Sequence, residues 1–255
     1  MAAVGRAPVI DSGRIIGRGF RVVGENFVPF TGIAVLLVGL PAVAVQYLSA
    51  SSVATGTALA WTSPLYWAAI IVPWILTALL QGILVRATIL DLADAEMELG
   101  QCMVTAFVLV LPIAAISLLV LIGFFVGFVL LIVPGVIFYL AMSVAIPALI
   151  EERAGVFGSM ARSYRLTRGS WLQIFVLFIL YAIFMAFVWM IVAVVFGAEI
   201  FGLGLAPDPM MSGVAYGLVS TLSAVIVGIM TASLYIELRT VKEGATTDAL
   251  ASIFA

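Results

Sequence analysis

The sequence predicts an all-α polytopic membrane protein with six transmembrane helices and amphipathic interfacial helices. Three observations support this fold class. Of the 255 residues, 65 % are hydrophobic and only 9 % are charged, whereas soluble domains are about 25 % charged. Six stretches reach the roughly 20 apolar residues that a helix needs to cross a bilayer. All 11 Lys and Arg residues lie near those ends of the six stretches that would face the same side of the membrane.

The distribution of basic residues predicts the topology. They occur at Arg6 to Arg21, at Arg86, at Arg153 to Arg168, and at Arg239 and Lys242. The loops on the other side contain neither Lys nor Arg. Because short loops rich in Lys and Arg stay in the cytoplasm, we expect a multi-pass protein with both termini in the cytoplasm.

The predicted spans lie in a single membrane domain that covers residues 1–255. They cover about residues 28–48, 64–90, 103–124, 128–150, 171–196 and 211–238. The third and fourth come from one apolar stretch that is long enough for two spans. The turn between them is expected among Gly123, Gly127, Pro134 and Gly135, and the last two are the candidate helix break.

Residues 9–27 are predicted to form an amphipathic helix in the plane of the membrane surface. Arg14, Arg18 and Arg21 recur on one face. The opposite face carries apolar side chains at similar spacing: Ile16, Phe20, Val23 and Phe27. A short helix with a basic face and a bulky apolar face lies among the lipid headgroups. The three arginines are therefore candidate contacts for anionic headgroups.

Residues 156–171 are predicted to form a second interfacial helix. Its apolar side chains share one face of a helical wheel: Phe157, Met160, Tyr164 and Trp171. Arg162 and Arg165 lie away from that face, and Arg168 lies near its edge, where its aliphatic stem can stay among lipid. These three arginines are also candidate contacts for anionic headgroups. A specific lipid-headgroup or protein docking site is the alternative.

The last predicted span carries a ridge of small residues. These residues are Gly213, Gly217, Ser220, Ala224, Gly228 and Ala232. Small residues at this spacing let helix backbones approach closely. Gly213, Gly217, Ala224 and Gly228 are therefore predicted packing positions, either within the chain or between the protomers of a homo-oligomer.

Arg86 and Glu237 are the ionisable residues that lie deepest in the predicted spans. Two interpretations are open. Each side chain extends to the nearby membrane surface, or the two form an ion pair between the second and sixth spans, which would offset the cost of a charge in the membrane.

The composition argues against an enzyme. The chain has no histidine, which excludes Ser–His–Asp catalysis and imidazole ligands to a metal. Its single cysteine, Cys102, cannot form a thiolate zinc site. The carboxylates near residues 91–98 lie in a segment typical of a solvated loop. We therefore expect no catalytic residue, no metal, no cofactor and no nucleic-acid partner.

The second half of the chain resembles a known family of membrane proteins. The matching motifs are Val133-Pro-Gly-Val136, Pro147-Ala-Leu-Ile-Glu151, Gly158-Ser-Met-Ala-Arg-Ser163 with Arg165-Leu166, Gly169-Ser-Trp171, and Leu234-Tyr-Ile-Glu-Leu-Arg239 with Glu243-Gly244. Over roughly residues 103–245 they are similar to the membrane domain of glycerophosphodiester phosphodiesterases and to the related YciC-like inner-membrane proteins.

This resemblance implies a six-helix domain in a bacterial cytoplasmic (inner) membrane and implies no activity. The catalytic domain of the phosphodiesterases is a separate barrel that uses histidine and carboxylates around a metal. The chain has no histidine and no room for that barrel, so no catalytic residue carries over from the family.

Two functions follow from the sequence as hypotheses. The first is a non-enzymatic scaffold or regulatory partner in the bacterial envelope or lipid metabolism, with anionic lipid and another membrane protein as partners. The second is a small transporter or lipid-handling protein that uses helices interrupted by proline. A water-filled cavity at mid-membrane, lined by Gln46, Thr77 or Gln81, would favour the second hypothesis. A solid bundle would favour the first.

Overall fold

The computed structural model describes residues 12–54, 62–93, 95–195 and 208–244, and the regular structure of these residues is helical throughout. The ten α-helices are α1 (Ser12–Glu25), α2 (Phe27–Ala34), α3 (Leu40–Ala54), α4 (Pro64–Leu92), α5 (Leu99–Leu130), α6 (Ile132–Ala141), α7 (Ala145–Glu152), α8 (Gly155–Thr167), α9 (Trp171–Val195) and α10 (Pro209–Glu243). A π-helical turn joins α2 to α3.

Six helical segments are long and apolar enough to cross a membrane, so the predicted all-α polytopic fold is confirmed. They are Phe27–Ser52, Pro64–Leu92, Leu99–Leu130, Ile132–Glu152, Trp171–Val195 and Pro209–Glu243. The third is longer than predicted and the sixth extends further towards the C-terminus. The predicted positions 9–11 and 196 lie outside the described residues.

Helix α10 occupies the centre of the bundle and packs against α1, α2, α3, α4 and α9. It runs in the same direction as α4, because Gln81 contacts Ala224 and Leu84 contacts Gly228. Helix α5 packs between α4 and α6. The arginines and their partners gather where α4 and α10 end, and we call this the basic end of the bundle.

The small-residue ridge of α10 is a contact surface within the chain. A Cβ added at Gly217 would lie 2.9 Å from the carbonyl oxygen of Gly39, and one at Gly213 would lie 3.1 Å from that of Val43. A Cβ at Gly228 would lie 3.0 Å from Cβ of Leu84. The ridge therefore lets the first and second spans approach the last span closely, and these positions are not free to join a second protomer.

The turn between the third and fourth spans lies at Leu131, which corrects the predicted helix break at Pro134 and Gly135. Leu131 is extended, with φ −161° and ψ 134°, and α6 begins at the next residue. Pro134 falls in the first turn of α6, where a backbone N–H has no acceptor within the helix. The missing N–H of the proline therefore costs no helical hydrogen bond. Gly135 serves a close approach instead, since a Cβ there would lie 2.6 Å from the backbone nitrogen of Phe128.

The fourth span is interrupted between α6 and α7, and α8 holds the interruption. The Ser163 hydroxyl donates to the carbonyl of Ala141 at 2.7 Å and accepts from the amide of Val144 at 3.3 Å. The Thr167 hydroxyl also donates to the Ala141 carbonyl, at 3.2 Å. These bonds satisfy backbone groups that a broken helix leaves open. Helix α8 is thus fastened to the bundle by two buried hydroxyls.

Prolines lie inside the first two spans without ending either helix. Upstream of Pro41, residues Val35–Gly39 form the π-helical turn, closed by a bond from the Leu40 amide to the Val35 carbonyl. Pro73 lies inside α4. A proline inside a helix removes the bond to the carbonyl four residues earlier, which here is the carbonyl of Ala69.

Candidate functional site

A buried carboxylate organises the basic end. Glu237 of α10 is 0 % exposed. Its carboxylate pairs with Nη1 of Arg18 at 2.8 Å and with Nε of Arg14 at 3.2 Å. Both arginines belong to α1, so this pairing fixes the N-terminal helix to the end of the last span.

The predicted ion pair between Arg86 and Glu237 is wrong in its partners. Arg86 Nη1 lies 2.7 Å from Glu151 Oε1, whereas Glu237 pairs with α1. Helices α4 and α10 also pack against each other, but each charge faces a third helix: Arg86 faces α7, which carries Glu151, and Glu237 faces α1. Each of the two deep charges is still offset by an opposite charge. The carboxylate beside Arg86 comes from α7 and the cations beside Glu237 come from α1.

A third group of charges joins α8 to α7 and α10. Arg162 Nε lies 2.6 Å from Glu152, and Arg162 Nη2 lies 2.6 Å from Glu243. The Tyr235 hydroxyl donates to Glu152 at 3.0 Å. Partial burial lowers the pKa of Arg162, but its hydrogen bonds to the two carboxylates outweigh that effect and raise the pKa. The guanidinium is therefore charged at neutral pH.

The six arginines predicted to contact lipid headgroups divide into two groups. Arg14, Arg18 and Arg162 are engaged by carboxylates of the bundle. The other three, Arg21, Arg165 and Arg168, are exposed, and none forms an ion pair with a carboxylate in the part of the chain that the structure describes. The Arg168 backbone carbonyl accepts a hydrogen bond from the Lys242 ammonium.

Helix α1 has a third face that the prediction of two stripes missed. Ile15 and Val22 are 2 % and 0 % exposed and pack into the core, whereas Phe20 is 71 % exposed. The buried flank lies between the arginine stripe and the apolar stripe. The signal in the sequence was the seven-residue spacing of Ile15 and Val22, followed by Asn26, whose amide donates to Asp91 at 3.0 Å.

A cavity of about 450 Å³ with a mainly apolar lining lies between α3, α4 and α10. We call it the polar cavity because five of its twelve lining residues carry polar side chains. Its lining residues are Val38, Ala42, Val45, Ala69, Pro73, Thr77, Gln81, Tyr216, Ser220, Ser223, Ala224 and Val227. Thr77 lies near the middle of the span Pro64–Leu92, so the cavity reaches mid-membrane depth. Gln46, which the sequence also proposed, is not among the lining residues.

The polar groups of this cavity are uncharged. The Gln81 amide donates to the Ala224 carbonyl at 3.1 Å, and the Thr77 hydroxyl donates to the Pro73 carbonyl at 2.8 Å. Ala69, whose carbonyl loses its helical donor to Pro73, is also part of the lining. The site therefore offers hydroxyl, amide and carbonyl groups to a neutral polar ligand.

An apolar groove of about 260 Å³ lies between α1, α9 and α10, on the side of the basic end. Its lining residues are Ile15, Ile16, Gly19, Phe20, Val23, Leu177, Leu180, Tyr181, Phe184, Ile226, Ile229 and Met230. The Tyr181 hydroxyl lies 2.6 Å from the Ser223 hydroxyl. Tyr181 thus connects the wall of the groove to the wall of the polar cavity.

The carboxylate cluster near residue 91 provides no metal site among the described residues, since no three His, Cys, Asp or Glu side chains converge there or elsewhere in that part of the chain. Asp94 lies outside the described residues. Asp91 instead accepts the Asn26 hydrogen bond and joins the start of the first span to the end of the second.

Comparisons with known proteins do not assign the chain to a family. No family model matches it, and no curated protein and no solved structure shows a significant match. The similarity to the YciC-like proteins therefore stays a prediction.

Proposed function

We propose that this chain is a non-enzymatic lipid-handling protein that accepts an amphipathic molecule from the bilayer. The observation that carries the proposal is the polar cavity at mid-membrane, lined by Thr77 and Gln81 beside Pro73, a proline inside the continuous helix α4. Polar groups are costly among lipid chains and are retained where they serve a ligand or a neighbouring helix. The cavity is the feature that distinguishes this hypothesis from a solid scaffold.

A lipid fits this cavity better than a soluble solute does. The cavity is not fully enclosed, and its lining residue Tyr216 is 44 % exposed on the surface of a membrane span. A soluble solute needs a route that is closed to the hydrocarbon, because irregular or polar surface in a bilayer is tolerated only when it is buried or faces water. A lipid enters from the bilayer itself.

The membrane orientation belongs to the same proposal. We place the basic end at the cytoplasmic face of a bacterial inner membrane, in accordance with the positive-inside rule. The exposed arginines Arg21, Arg165 and Arg168 then lie at the level of anionic headgroups, where each contributes about 1 kcal/mol of attraction.

A scaffold role is the second candidate. Its supporting observation is the exposed side of α8, where Phe157 is 76 % exposed on the same helix as the exposed Arg165. If this side binds a partner protein, replacing Phe157 and Arg165 should abolish binding of the partner and leave lipid binding in the polar cavity unchanged.

The lipid-handling proposal is tested by photocrosslinking of the purified protein in nanodiscs. The probe is monopalmitoylglycerol with a diazirine close to the glycerol, and peptide mapping should locate the label on α4 and α10. Thr77→Val combined with Ser220→Ala should lower the labelling several-fold. Thr231→Val is the matched control, because its hydroxyl also bonds to a carbonyl of its own helix but does not line the cavity. Labelling that is equal in all three proteins would overturn the proposal.

A further inference from the structure

We infer that α9 is a lateral gate of the polar cavity and that the hydrogen bond between Tyr181 and Ser223 is its latch. This inference rests on the proposed function and adds how the site is opened to the bilayer. In the closed state that the structure shows, α9 lies along one edge of the cavity.

Two aromatic side chains of α9 contact residues that line the cavity. The Tyr181 hydroxyl lies 2.6 Å from the Ser223 hydroxyl. The centroid of the Trp189 ring lies 6.5 Å from that of the Tyr216 ring. Ser223 and Tyr216 both line the cavity, and seven residues along a helix place them on one face of α10, about 10 Å apart along its axis. Helix α9 therefore borders the cavity over two turns of α10.

The two ends of α9 are held unequally. Its buried side chains are Ile174, Leu177, Met185 and Ala193. Ile174 and Leu177 are the most deeply buried of these and lie in the first two turns, at the basic end. Among the described residues, the latch is the only hydrogen bond between a side chain of α9 and another helix. Because regions with few buried contacts open at the lowest free energy, the basic end of α9 stays fixed and the outer end moves.

The surroundings of α9 leave room for this movement. The apolar groove lies between α9 and α1, on the flank of α9 that carries Leu180 and Phe184. In the part of the chain that the structure describes, α9 packs against α6 and α10 but not closely against α4, which forms another wall of the cavity. When the latch breaks, α9 turns about its basic end towards the groove, and the cavity opens to the bilayer beside α4.

The strength of the latch sets the expected effect. Hydrogen bonds between membrane helices stabilise helix association only modestly, because a separated hydroxyl finds another partner. Losing the latch should therefore leave the protein folded and raise the population of the open state about threefold.

The gate is tested first without ligand, by the distance between two spin labels in nanodiscs. The labels replace the exposed Leu65 at the outer end of α4 and the exposed Val194 at the outer end of α9, and the native Cys102 is replaced by Ala. Double electron–electron resonance should show that the long-distance population in Tyr181→Phe is about threefold larger than in the wild type.

Tyr139→Phe is the matched control for this substitution. The Tyr139 ring contacts Phe178 of α9, with centroids 5.4 Å apart, whereas its hydroxyl forms no hydrogen bond among the described residues. Its distances should equal those of the wild type. Ser223→Ala removes the latch from the other side, so the double variant with Tyr181→Phe should match Tyr181→Phe alone.

Three outcomes of the distance measurement would contradict the inference. Equal distributions in the wild type and Tyr181→Phe would overturn the gate. A shift in Tyr139→Phe as large as that in Tyr181→Phe would overturn the latch, because any change of packing on α9 would then loosen it. Additive shifts in the double variant with Ser223→Ala would overturn the latch as well.

The second measurement is the exchange of the bound photoreactive probe for unlabelled monopalmitoylglycerol. Tyr181→Phe should exchange about threefold faster at an unchanged affinity, because a gate alters entry and exit equally. An unchanged exchange rate would overturn the gate, and a changed affinity at that unchanged rate would make Tyr181 a contact of the ligand instead. If the wild type binds no monopalmitoylglycerol, the proposed function itself is wrong, and the spin-label distances still decide whether α9 moves.

Discussion

The ion pairs of Glu237 predict an asymmetry between its partners that a stability measurement can detect. The Glu237 side chain is 0 % exposed, whereas the side chains of Arg18 and Arg14 are 24 % and 50 % exposed. Glu237→Gln leaves two arginines that can turn towards water. Replacing both arginines by Gln leaves a buried carboxylate without a cation.

The magnitudes follow from burial. Removing the cations from a buried carboxylate costs about 3–5 kcal/mol. Removing the carboxylate costs less, about 1–3 kcal/mol, because the two partly exposed guanidinium groups regain hydration. The arginine double variant should therefore be less stable than Glu237→Gln by about 2 kcal/mol, and the triple variant should be close to Glu237→Gln.

The assay is reversible unfolding in mixed micelles, with amide hydrogen exchange of residues 12–25 as a local measurement. Exchange of α1 should increase in both variants, because the helix loses its attachment to α10. The same comparison in neutral and in anionic lipid separates the ion pair from headgroup binding: an effect that depends on Glu237 should be the same in both. If the arginine variant is as stable as the wild type in neutral lipid, the arginines act on lipid and the pairing does not hold α1.

Two further predictions concern packing. Gly217→Leu should lower the free energy of unfolding by about 1–3 kcal/mol, because its side chain meets the backbone of Gly39, while Leu222→Ile on the exposed face should have little effect; equal melting would place the ridge against lipid. Replacing Ser163 by Ala and Thr167 by Val should lower the free energy of unfolding by about 1–3 kcal/mol, because the Ala141 carbonyl is left unsatisfied. The control Ser117→Ala should have little effect, since the Ser117 hydroxyl bonds to a carbonyl within its own helix. Reporter fusions at Thr55 and Asp208 should lie outside the cell membrane and a fusion at Gly155 inside; a cytoplasmic signal at Asp208 would reverse the topology.

The spans could be predicted from the sequence because length and hydropathy are local properties. A helix that crosses a bilayer must be apolar over a fixed length whatever its neighbours are. The turn at Leu131 could not be located this way, since every residue around it is apolar. The break was predicted at Pro134 because proline often ends a helix, although a proline is compatible with the first turn of a helix.

The partners of the buried charges could not be predicted, because they depend on how each helix is rotated about its axis. The sequence identified Arg86 and Glu237 as deep ionisable residues but gave no information about which neighbour each faces. The attachment of α8 by Ser163 was missed for a similar reason. Its hydroxyl bonds to a backbone that is open only because α6 stops at Ala141, and hydropathy does not show that interruption.

The cavity and the charges occupy opposite halves of the bundle, and this separation has a mechanical consequence. The buried residues of α4 all lie in its second half, from Ala78 to Leu92. The ion pairs of Arg86 with Glu151 and of Glu237 with α1 lie at the same end of the bundle. The first half of α4 holds Pro73 and one wall of the polar cavity, and it contributes no buried side chain. Regions with few buried contacts open at the lowest free energy. The proposed function therefore places lipid entry between α4 and α10 in the half of the bundle that opens most easily, while the paired charges hold α10 in place at the other end.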